Sequence, residues 1–231
     1  MYSLKTTYKK ILADTITPVS VYLKIRDKYP NSLLLESSDY HASGNSFSYV
    51  CCNPIASIKV VNETLTREFP NGEKHITPIN ATTDVPALIN EFSQQFKTDK
   101  NDFKFINNGL FGYIAYDAVR YFEDVEVTKK EKSLHIPDIY YAVYQNIIAF
   151  NHFKNEAYIF SHCYQSEDNI DSIEQLLRAK NFTTYKFTID GERTSNLNDE
   201  QFKENVTLAK KHCFRGDVFQ LVLSRRFIQK F

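Results

Sequence analysis

The chain has 231 residues, of which 42% are hydrophobic and 14% aromatic, so it can fill a sizeable core and is not a disordered protein. Its 28 basic and 28 acidic residues balance, which disfavours a nucleic-acid partner. The N-terminus has no apolar signal segment, and no window approaches the roughly 20 apolar residues that span a bilayer. We therefore expect a soluble, cytoplasmic protein without a membrane attachment.

The four cysteines predict buried thiols rather than a metal or redox site. Cys51, Cys52, Cys163 and Cys213 include no Cys-x-x-Cys spacing, which disfavours a structural zinc. His162-Cys163 and His212-Cys213 are better interpreted as two unrelated, half-buried pairs than as one joint site. No metal ligand is predicted.

The N-terminal region predicts a strand followed by a helix. Leu4 to Ala13 mixes polar and apolar residues as a strand does. Thr17 is a suitable N-cap and Pro18 suits the first helical position, because its missing N–H costs nothing there. The helix should run to about Tyr29, with an apolar side made of Val19, Val21, Tyr22 and Ile25.

The next apolar run carries an acid and a hydroxyl at its end. Three consecutive leucines in Ser32–Leu35 predict a central strand that is buried on both faces. Glu36 and Ser37 would then need internal hydrogen-bond partners. The alternative is a strand end with a solvated Glu36.

A meander and a second helix follow. Ile55 to Ile76 alternates as antiparallel strands do, and Asn71-Gly72 predicts a hairpin turn. Asp84 should cap a helix that extends to Phe96, and Thr98 to Asn108 should be a polar loop. The core side of this helix is predicted to consist of Leu88, Ile89, Phe92 and Phe96.

The stretch Gly109–Glu123 predicts structural support. Gly109 and Gly112 would allow close approach of another backbone, Asp117 could cap a short helix, and Arg120 is an i,i+3 neighbour of Glu123. We assign these residues to packing and domain contact rather than to chemistry.

The second half of the chain predicts another hairpin and two helices. Tyr140–Phe150 and Glu156–His162 should pair across a short turn, and the segment Ser166–Asn169 should cap the next helix. Asn181–Leu197 is a predicted connection. A helix should begin at the N-cap Asn198 and carry an apolar face of Phe202, Val206, Ala209 and Cys213.

The chain then predicts a terminal strand. Gly216 should end the preceding helix, and Phe219–Phe231 alternates as a half-buried strand does. Gln220 lies on the polar face of that strand. Without further information, Gln220 is equally well interpreted as a solvated strand residue.

Four segments resemble component I of anthranilate synthase. Arg215–Phe227 is similar to the opening of that family's chorismate-binding catalytic domain, and Gly109–Glu123 is similar to a signature of its N-terminal domain. Leu34–Ser37 resembles its tryptophan-binding element. Phe47–Pro54 resembles a further family segment, with Cys51 where glycine is usual.

The resemblance implies an α+β fold, with antiparallel sheets packed face to face and helices outside. The meanders at Ile55–Ile76 and Tyr140–His162 agree with it independently. The implied domains are an N-terminal domain at 1–165, a connecting helix and linker at 166–197, and the truncated start of the catalytic domain at 198–231.

The family's reaction converts chorismate and ammonia into anthranilate and pyruvate with Mg²⁺, the first committed step of tryptophan biosynthesis. A glutamine amidotransferase subunit, component II, delivers the ammonia. The resemblance implies that the Mg²⁺ ligands lie beyond residue 231, so we expect this chain to be inactive alone. Gln220 is the one candidate active-site residue, because related enzymes that activate water have a lysine at that strand position.

The resemblance also implies feedback inhibition by L-tryptophan. Leu35, Glu36 and Ser37 match the effector-binding element. The chain departs from the family in one respect, since Asn45, Ser46 and Phe47 occupy a region where some members have a basic residue that helps to hold the effector.

Two alternatives remain open. One is component I of aminodeoxychorismate synthase in the folate branch, although Phe219 and Val222-Leu-Ser224 favour the anthranilate product. The other is a non-catalytic tryptophan-binding regulatory module. A terminal strand without a following partner strand argues against that module.

Overall fold

The computed structural model describes residues 1–36, 46–125, 127, 136–179 and 184–231. The chain divides into two compact units, Met1–Thr183 and Thr184–Phe231. The domain boundaries expected at 165 and 197 stay a prediction, because a compact unit and a family domain need not coincide.

Within the described part of the first unit, nine strands form one sheet in the order β5-β4-β3-β8-β9-β1-β6, with β2 also pairing with β3 and β7 with β8. Every described pair is antiparallel except β1 with β6. The strands are β1 (Tyr2–Leu12), β2 (Leu33–Leu35), β3 (Phe47–Val61), β4 (Thr64–Glu68), β5 (Lys74–Pro78), β6 (Phe96–Thr98), β7 (Phe111–Ile114), β8 (Ile139–Asn151) and β9 (Glu156–Cys163).

The sheet bends so that its distant strands face each other. β3 and β8 pair from Phe47–Asn151 to Val60–Ile139, while β2 and β4 each pair with only one part of β3. The Tyr2 ring in β1 stacks on Phe69, just after β4, with 5.5 Å between ring centroids. Three strands separate β1 from β4 in the sheet, so this contact requires the sheet to double over a core.

Among its described residues, the first unit has three α-helices: α1 (Pro18–Ile25), α2 (Val85–Gln94) and α3 (Ile170–Arg178). Helices α1 and α3 bury Val21, Ile25 and Ile173 in one cluster with sheet residues of β3, β8 and β9. Helix α2 buries Phe92 in another cluster, beside residues of β1, β3 and β8. The predicted α+β class, with sheets and helices outside them, is confirmed.

The helix caps follow the local sequence signals. Thr17 accepts a hydrogen bond from the Ser20 N–H in a capping box, and Asp84 accepts one from the Ala87 N–H. Helix α1 ends at Ile25, earlier than the predicted Tyr29. Val19 is 44% exposed rather than on the apolar side, because the buried stripe is formed by Pro18, Val21 and Ile25.

The prediction that Ser32–Leu35 is a central strand is wrong. Strand β2 has three residues and pairs with β3 alone among the described strands. Leu35 is 39% exposed, and Glu36 is exposed. The alternative of a strand end with a solvated Glu36 therefore describes this segment, because β2 meets only the first part of β3.

The two glycines of the Gly109–Glu123 stretch have different roles. A Cβ on Gly112 would lie 1.9 Å from the Tyr140 carbonyl oxygen, so β7 and β8 can approach only without a side chain there. A Cβ on Gly109 would have no atom within 4 Å, and glycine is favoured there because of its φ of +126°. The prediction of close approach is confirmed for Gly112 and wrong for Gly109.

Arg120 pairs with Asp138, which the sequence did not indicate. The Arg120 Nη2 lies 2.8 Å from Asp138 Oδ2, and the Tyr121 hydroxyl donates to the same oxygen at 3.0 Å. Asp117 contributes its carbonyl oxygen to Arg120 Nη1, while the N-cap of the 3₁₀ helix Tyr116–Tyr121 is Ala115. Asp117 is therefore not the cap.

The N-cap of α3 lies at the end of the predicted capping segment Ser166–Asn169. It is Asn169, and its side chain bonds no helical N–H. Asn169 instead exchanges amide hydrogen bonds with Asn146 in β8, at 2.6 and 3.1 Å. This pair fastens the start of the helix to the sheet.

The second unit contains β10 (Asp190–Ser195), α4 (Asp199–Arg215) and β11 (Phe227–Lys230). Asn198 caps α4 and Gly216 ends it with a φ of +78°, both as predicted. The prediction of a strand from Phe219 is wrong for the residues before Phe227, where β11 begins. Strand β11 pairs with β10, and the sequence indicated the β10 segment only as a connection.

Candidate functional site

A cleft of about 450 Å³ opens in the first unit beside the start of α1. The β1–α1 turn, the residue after β2 and the β8–β9 turn form its walls. Its lining residues are Ala13, Asp14, Ile16, Thr17, Pro18, Val19, Glu36, Phe150, Asn151, His152 and Asn155. Ligand pockets commonly have volumes of about 300–1,000 Å³, so the cleft can hold a molecule of metabolite size.

The first turn of α1 forms one wall of this cleft. Thr17 uses its hydroxyl oxygen to cap the Ser20 N–H at 3.1 Å, and Pro18 has no N–H. The helix dipole places partial positive charge at this end. This partial charge favours an anionic group such as a carboxylate, and neither the capped Ser20 N–H nor Pro18 supplies a hydrogen bond to it.

Backbone and side-chain hydrogen bonds fix the opposite wall. The Ala13 N–H donates to the Asn155 carbonyl at 2.8 Å, which joins the two turns across the cleft. The Asn151 side chain accepts from the Lys154 N–H at 3.0 Å. His152 Nε2 lies 2.7 Å from the Ser48 hydroxyl oxygen. These bonds hold the wall in a defined shape before any ligand enters.

The charges in the cleft favour a cationic group beside the helix end. Glu36 and Asp14 are exposed acids in the lining, and none of the described lining residues is Lys or Arg. An ammonium group near these carboxylates would be stabilised. Ile16 and Phe150 add apolar surface, so the cleft combines the features that a zwitterionic amino acid with an apolar side chain requires.

The predicted effector residues fall in three different situations. Glu36 lines the cleft. Leu35 lies in β2 opposite Tyr49 and is not among the lining residues. Ser37 lies outside the residues that the structure describes, so its role stays a prediction.

Sequence reasoning did not connect the other cleft residues with a site. The sequence around Thr17 and Pro18 indicates only a helix start, and that around Asn151 and His152 only a hairpin turn. The turn signals were visible, but a contact between positions near 15 and near 150 depends on β1 pairing with β9. No local pattern in the sequence encodes that pairing.

Gln220 lies in the second unit, exposed and outside any strand. Nearby in sequence, Leu221 and Leu223 line a groove on α4. Its other lining residues include the predicted helix face of Val206, Ala209 and Cys213. A catalytic role of Gln220 stays a prediction.

The cysteines are free thiols in the structure. Cys51, Cys52 and Cys163 are buried as predicted, whereas Cys213 is exposed and corrects that prediction. Burial raises the pKa of the Cys52 thiol to about 12, so this thiol is protonated at neutral pH. Its location marks it as a core residue.

No group of three or more His, Cys, Asp or Glu side chains that could hold a metal ion occurs among the described residues. The residues present there do not fit a Mg²⁺ site, and we derive no chemical step through that ion. No described helix is long and apolar enough to cross a membrane.

Residues 32–231 match a family described as chorismate binding enzyme. The chain is 32% identical over 236 residues to anthranilate synthase component 1 of Lactococcus lactis subsp. lactis, covering 96% of this chain and 49% of the relative. It is 29% identical to the chloroplastic anthranilate synthase alpha subunit 1 of Arabidopsis thaliana, covering 95% of this chain and 42% of the relative.

A solved structure supports the fold. The crystal structure of anthranilate synthase component I from Streptococcus pneumoniae matches with a TM-score of 0.54 and 24% identity, over 95% of this chain and 48% of the other. This likeness supports the architecture alone. The chain spans about half the length of the curated relatives it matches.

Proposed function

The chain belongs to the family of chorismate binding enzymes, and on that premise we propose that the protein acts as component I of an anthranilate synthase. The reaction would convert chorismate and ammonia into anthranilate and pyruvate. The observation that carries this proposal is the 32% identity, over 96% of the chain, to a relative named anthranilate synthase component 1. Because the chain spans about half of that relative, we assign the activity to the whole protein.

The proposal includes a partner and a metal that belong to the whole protein. A glutamine amidotransferase subunit would supply the ammonia, and Mg²⁺ would assist the reaction. Neither is assigned to a residue described here. A cytoplasmic location remains part of the proposal, although the Arabidopsis thaliana relative is named as chloroplastic.

We assign a second element, tryptophan binding, to the cleft beside α1. Glu36 would bind the ammonium group, the first turn of α1 would face the carboxylate, and Ile16 with Phe150 would contact the indole ring. The support is geometric, since one predicted effector residue lies in a cleft that combines acidic, helix-terminal and apolar surfaces. The charges there complement a zwitterion.

The activity is tested with the whole protein and its amidotransferase subunit. Chorismate, glutamine and Mg²⁺ are supplied, and anthranilate is followed by its fluorescence together with pyruvate. Equal amounts of both products support the proposal. Formation of 4-amino-4-deoxychorismate would assign the protein to the folate branch, and absence of both products would refute a synthase.

Tryptophan binding is tested on the chain itself. It contains no tryptophan, so indole fluorescence at the red edge of its absorption reports the ligand without a protein background. Glu36→Gln should weaken binding roughly tenfold, because the hydrogen bond to the ammonium group loses its negatively charged acceptor at an exposed position. Glu204→Gln, an exposed position on α4, is the matched control and should change nothing.

This experiment also addresses the alternative of a regulatory module. The objection to that module is a terminal strand without a following partner strand; in the structure the strand β11 pairs with the preceding β10. Tight tryptophan binding by the chain, together with no activity of the whole protein, would favour the module. Equal binding by wild type and Glu36→Gln would remove Glu36 from the site.

A further inference from the structure

The core of the first unit contains a second cavity, of about 150 Å³, which the proposed function does not use. It lies between β1, β6, β8 and the segment that leads to β7. Its lining residues are Leu4, Ser93, Phe96, Thr98, Asn108, Gly109, Leu110, Val143, Tyr144, Ile147 and His162.

The deep wall of the cavity is apolar and well buried. Leu4, Val143 and Ile147 are 2%, 6% and 1% exposed. Phe96 and Leu110 complete this surface. An apolar ligand placed here gains the free energy of leaving water together with the contacts of a close-packed wall.

The polar groups of the deep wall are already engaged. His162 contacts the Thr6 hydroxyl oxygen through Nδ1 at 2.9 Å and the Asn107 carbonyl through Nε2 at 2.8 Å. The Tyr144 hydroxyl donates to the Asn31 carbonyl at 2.9 Å. No Lys, Arg, Asp or Glu occurs among the described lining residues. A charged ligand would therefore lose its hydration without gaining a partner.

The mouth of the cavity offers one polar contact. Asn108 Nδ2 donates to the Thr98 hydroxyl oxygen at 2.7 Å, and this bond does not use the side-chain carbonyl oxygen of Asn108, which can act as an acceptor. Gly109 has nothing within 4 Å of the place where a Cβ would be. The mouth therefore remains open and presents an amide acceptor at its edge.

We propose that this cavity is a binding site for a small uncharged molecule with one aromatic ring and one hydroxyl group. The volume matches the ring, since an engineered apolar cavity of about 150 Å³ in another protein binds benzene. The apolar wall receives the ring, and Asn108 accepts the hydroxyl hydrogen. Phenol is the simplest probe of this chemistry.

The proposal is tested by titrating the chain with phenol and with benzene, followed by methyl NMR. Methyl signals of Leu4, Leu110, Val143 and Ile147 should shift. Those of Ile25, in the core cluster that α1 and α3 form with the sheet, should not. Phenol should bind roughly fivefold more tightly than benzene, because it adds one neutral hydrogen bond.

Two variants separate a specific site from general hydrophobic binding. Val143→Ile adds one methylene to the cavity wall and should weaken the binding of both ligands at least tenfold. The matched control Val50→Ile makes the same change at a buried residue of the cluster that contains Ile25 and should leave binding unchanged. Asn108→Ala, at the half-buried mouth, should remove the preference for phenol and leave benzene binding intact.

Three outcomes would overturn the proposal. The first is the absence of methyl shifts at saturating phenol. The second is a set of shifts spread over the surface rather than confined to the cavity. The third is an affinity of each probe for Val143→Ile that equals its affinity for the wild type.

Discussion

The ion pair between Arg120 and Asp138 should be a main determinant of the stability of the first unit. Asp138 is 1% exposed and the Arg120 side chain 19%. Replacing Arg120 with Met would remove the guanidinium that lies 2.8 Å from this buried carboxylate. Removing one partner of a buried pair costs about 3–5 kcal/mol.

The lower end of that range applies here. Asp138 would keep the hydrogen bond from the Tyr121 hydroxyl, and Arg120 is partly open to water. We therefore expect Arg120→Met to lower the free energy of unfolding by about 3 kcal/mol. For a unit of this size, that corresponds to a fall in Tm of roughly 6–12 °C.

The assay is urea denaturation of a double-mutant cycle. Asp138→Asn should cost less than Arg120→Met, because the freed guanidinium can reach water. The double variant should be destabilised by less than the sum of the single variants, since it leaves no unpaired charge. A loss below about 1 kcal/mol for Arg120→Met, or strictly additive effects, would refute the reasoning.

Three further predictions concern regulation, backbone packing and pH. In the whole protein, Ser37→Phe should weaken inhibition by tryptophan and leave uninhibited turnover nearly unchanged. The reason is that the larger side chain fills the proposed effector site without changing a residue of the reaction. Inhibition titrations of both forms measure this. Gly112→Ala should destabilise the first unit by about 3 kcal/mol in urea denaturation, because its Cβ would lie 1.9 Å from the Tyr140 carbonyl oxygen. Burial lowers the pKa of His162 below its ordinary 6.5, so the unfolded chain binds the proton more readily than the folded chain. The contribution of His162 to the free energy of unfolding should be complete above about pH 6.5 and should fall below that pH. Urea denaturation at about pH 7.5 and pH 5.5 measures the change.

Each of these predictions has a contrary outcome. An unchanged half-inhibitory concentration for Ser37→Phe would remove Ser37 from the effector site. An unchanged denaturation midpoint for Gly112→Ala would show that β7 and β8 are not as close as the structure has them. For the pH effect, His162→Gln is the control, and a variant that keeps the full difference between the two pH values would exclude His162 as its origin.

The sequence by itself determined the elements whose signals are local. Thr17, Asp84 and Asn198 cap their helices because each side chain bonds an N–H three residues away. Gly216 ends α4 because glycine adopts a positive φ without strain. The hairpin of β8 and β9 and the turn at Asn71-Gly72 were predicted for the same reason, since adjacent strands need only a short connection.

Only the tertiary structure decided which distant segments meet. The pairing of β11 with β10 joins residues more than thirty positions apart, and the engagement of Asn169 with Asn146 displaces an ordinary cap. Glu123 follows Arg120 by three residues in the sequence, yet the ion-pair partner of Arg120 is Asp138, the residue before β8. A buried carboxylate such as Asp138 is costly without an opposite charge beside it, so the fold, and not the spacing in the sequence, selects its ion-pair partner.

The candidate site shows the same division. The residues Leu34–Glu36 were recognisable by their resemblance, but the sequence could not say whether Glu36 is buried or solvated. The order of the strands brings Glu36, Thr17 and Asn151 to one cleft. Strand order depends on the summed packing of the whole sheet, whereas sequence patterns report only the period of each strand. The geometry of the site is therefore a property of the folded chain.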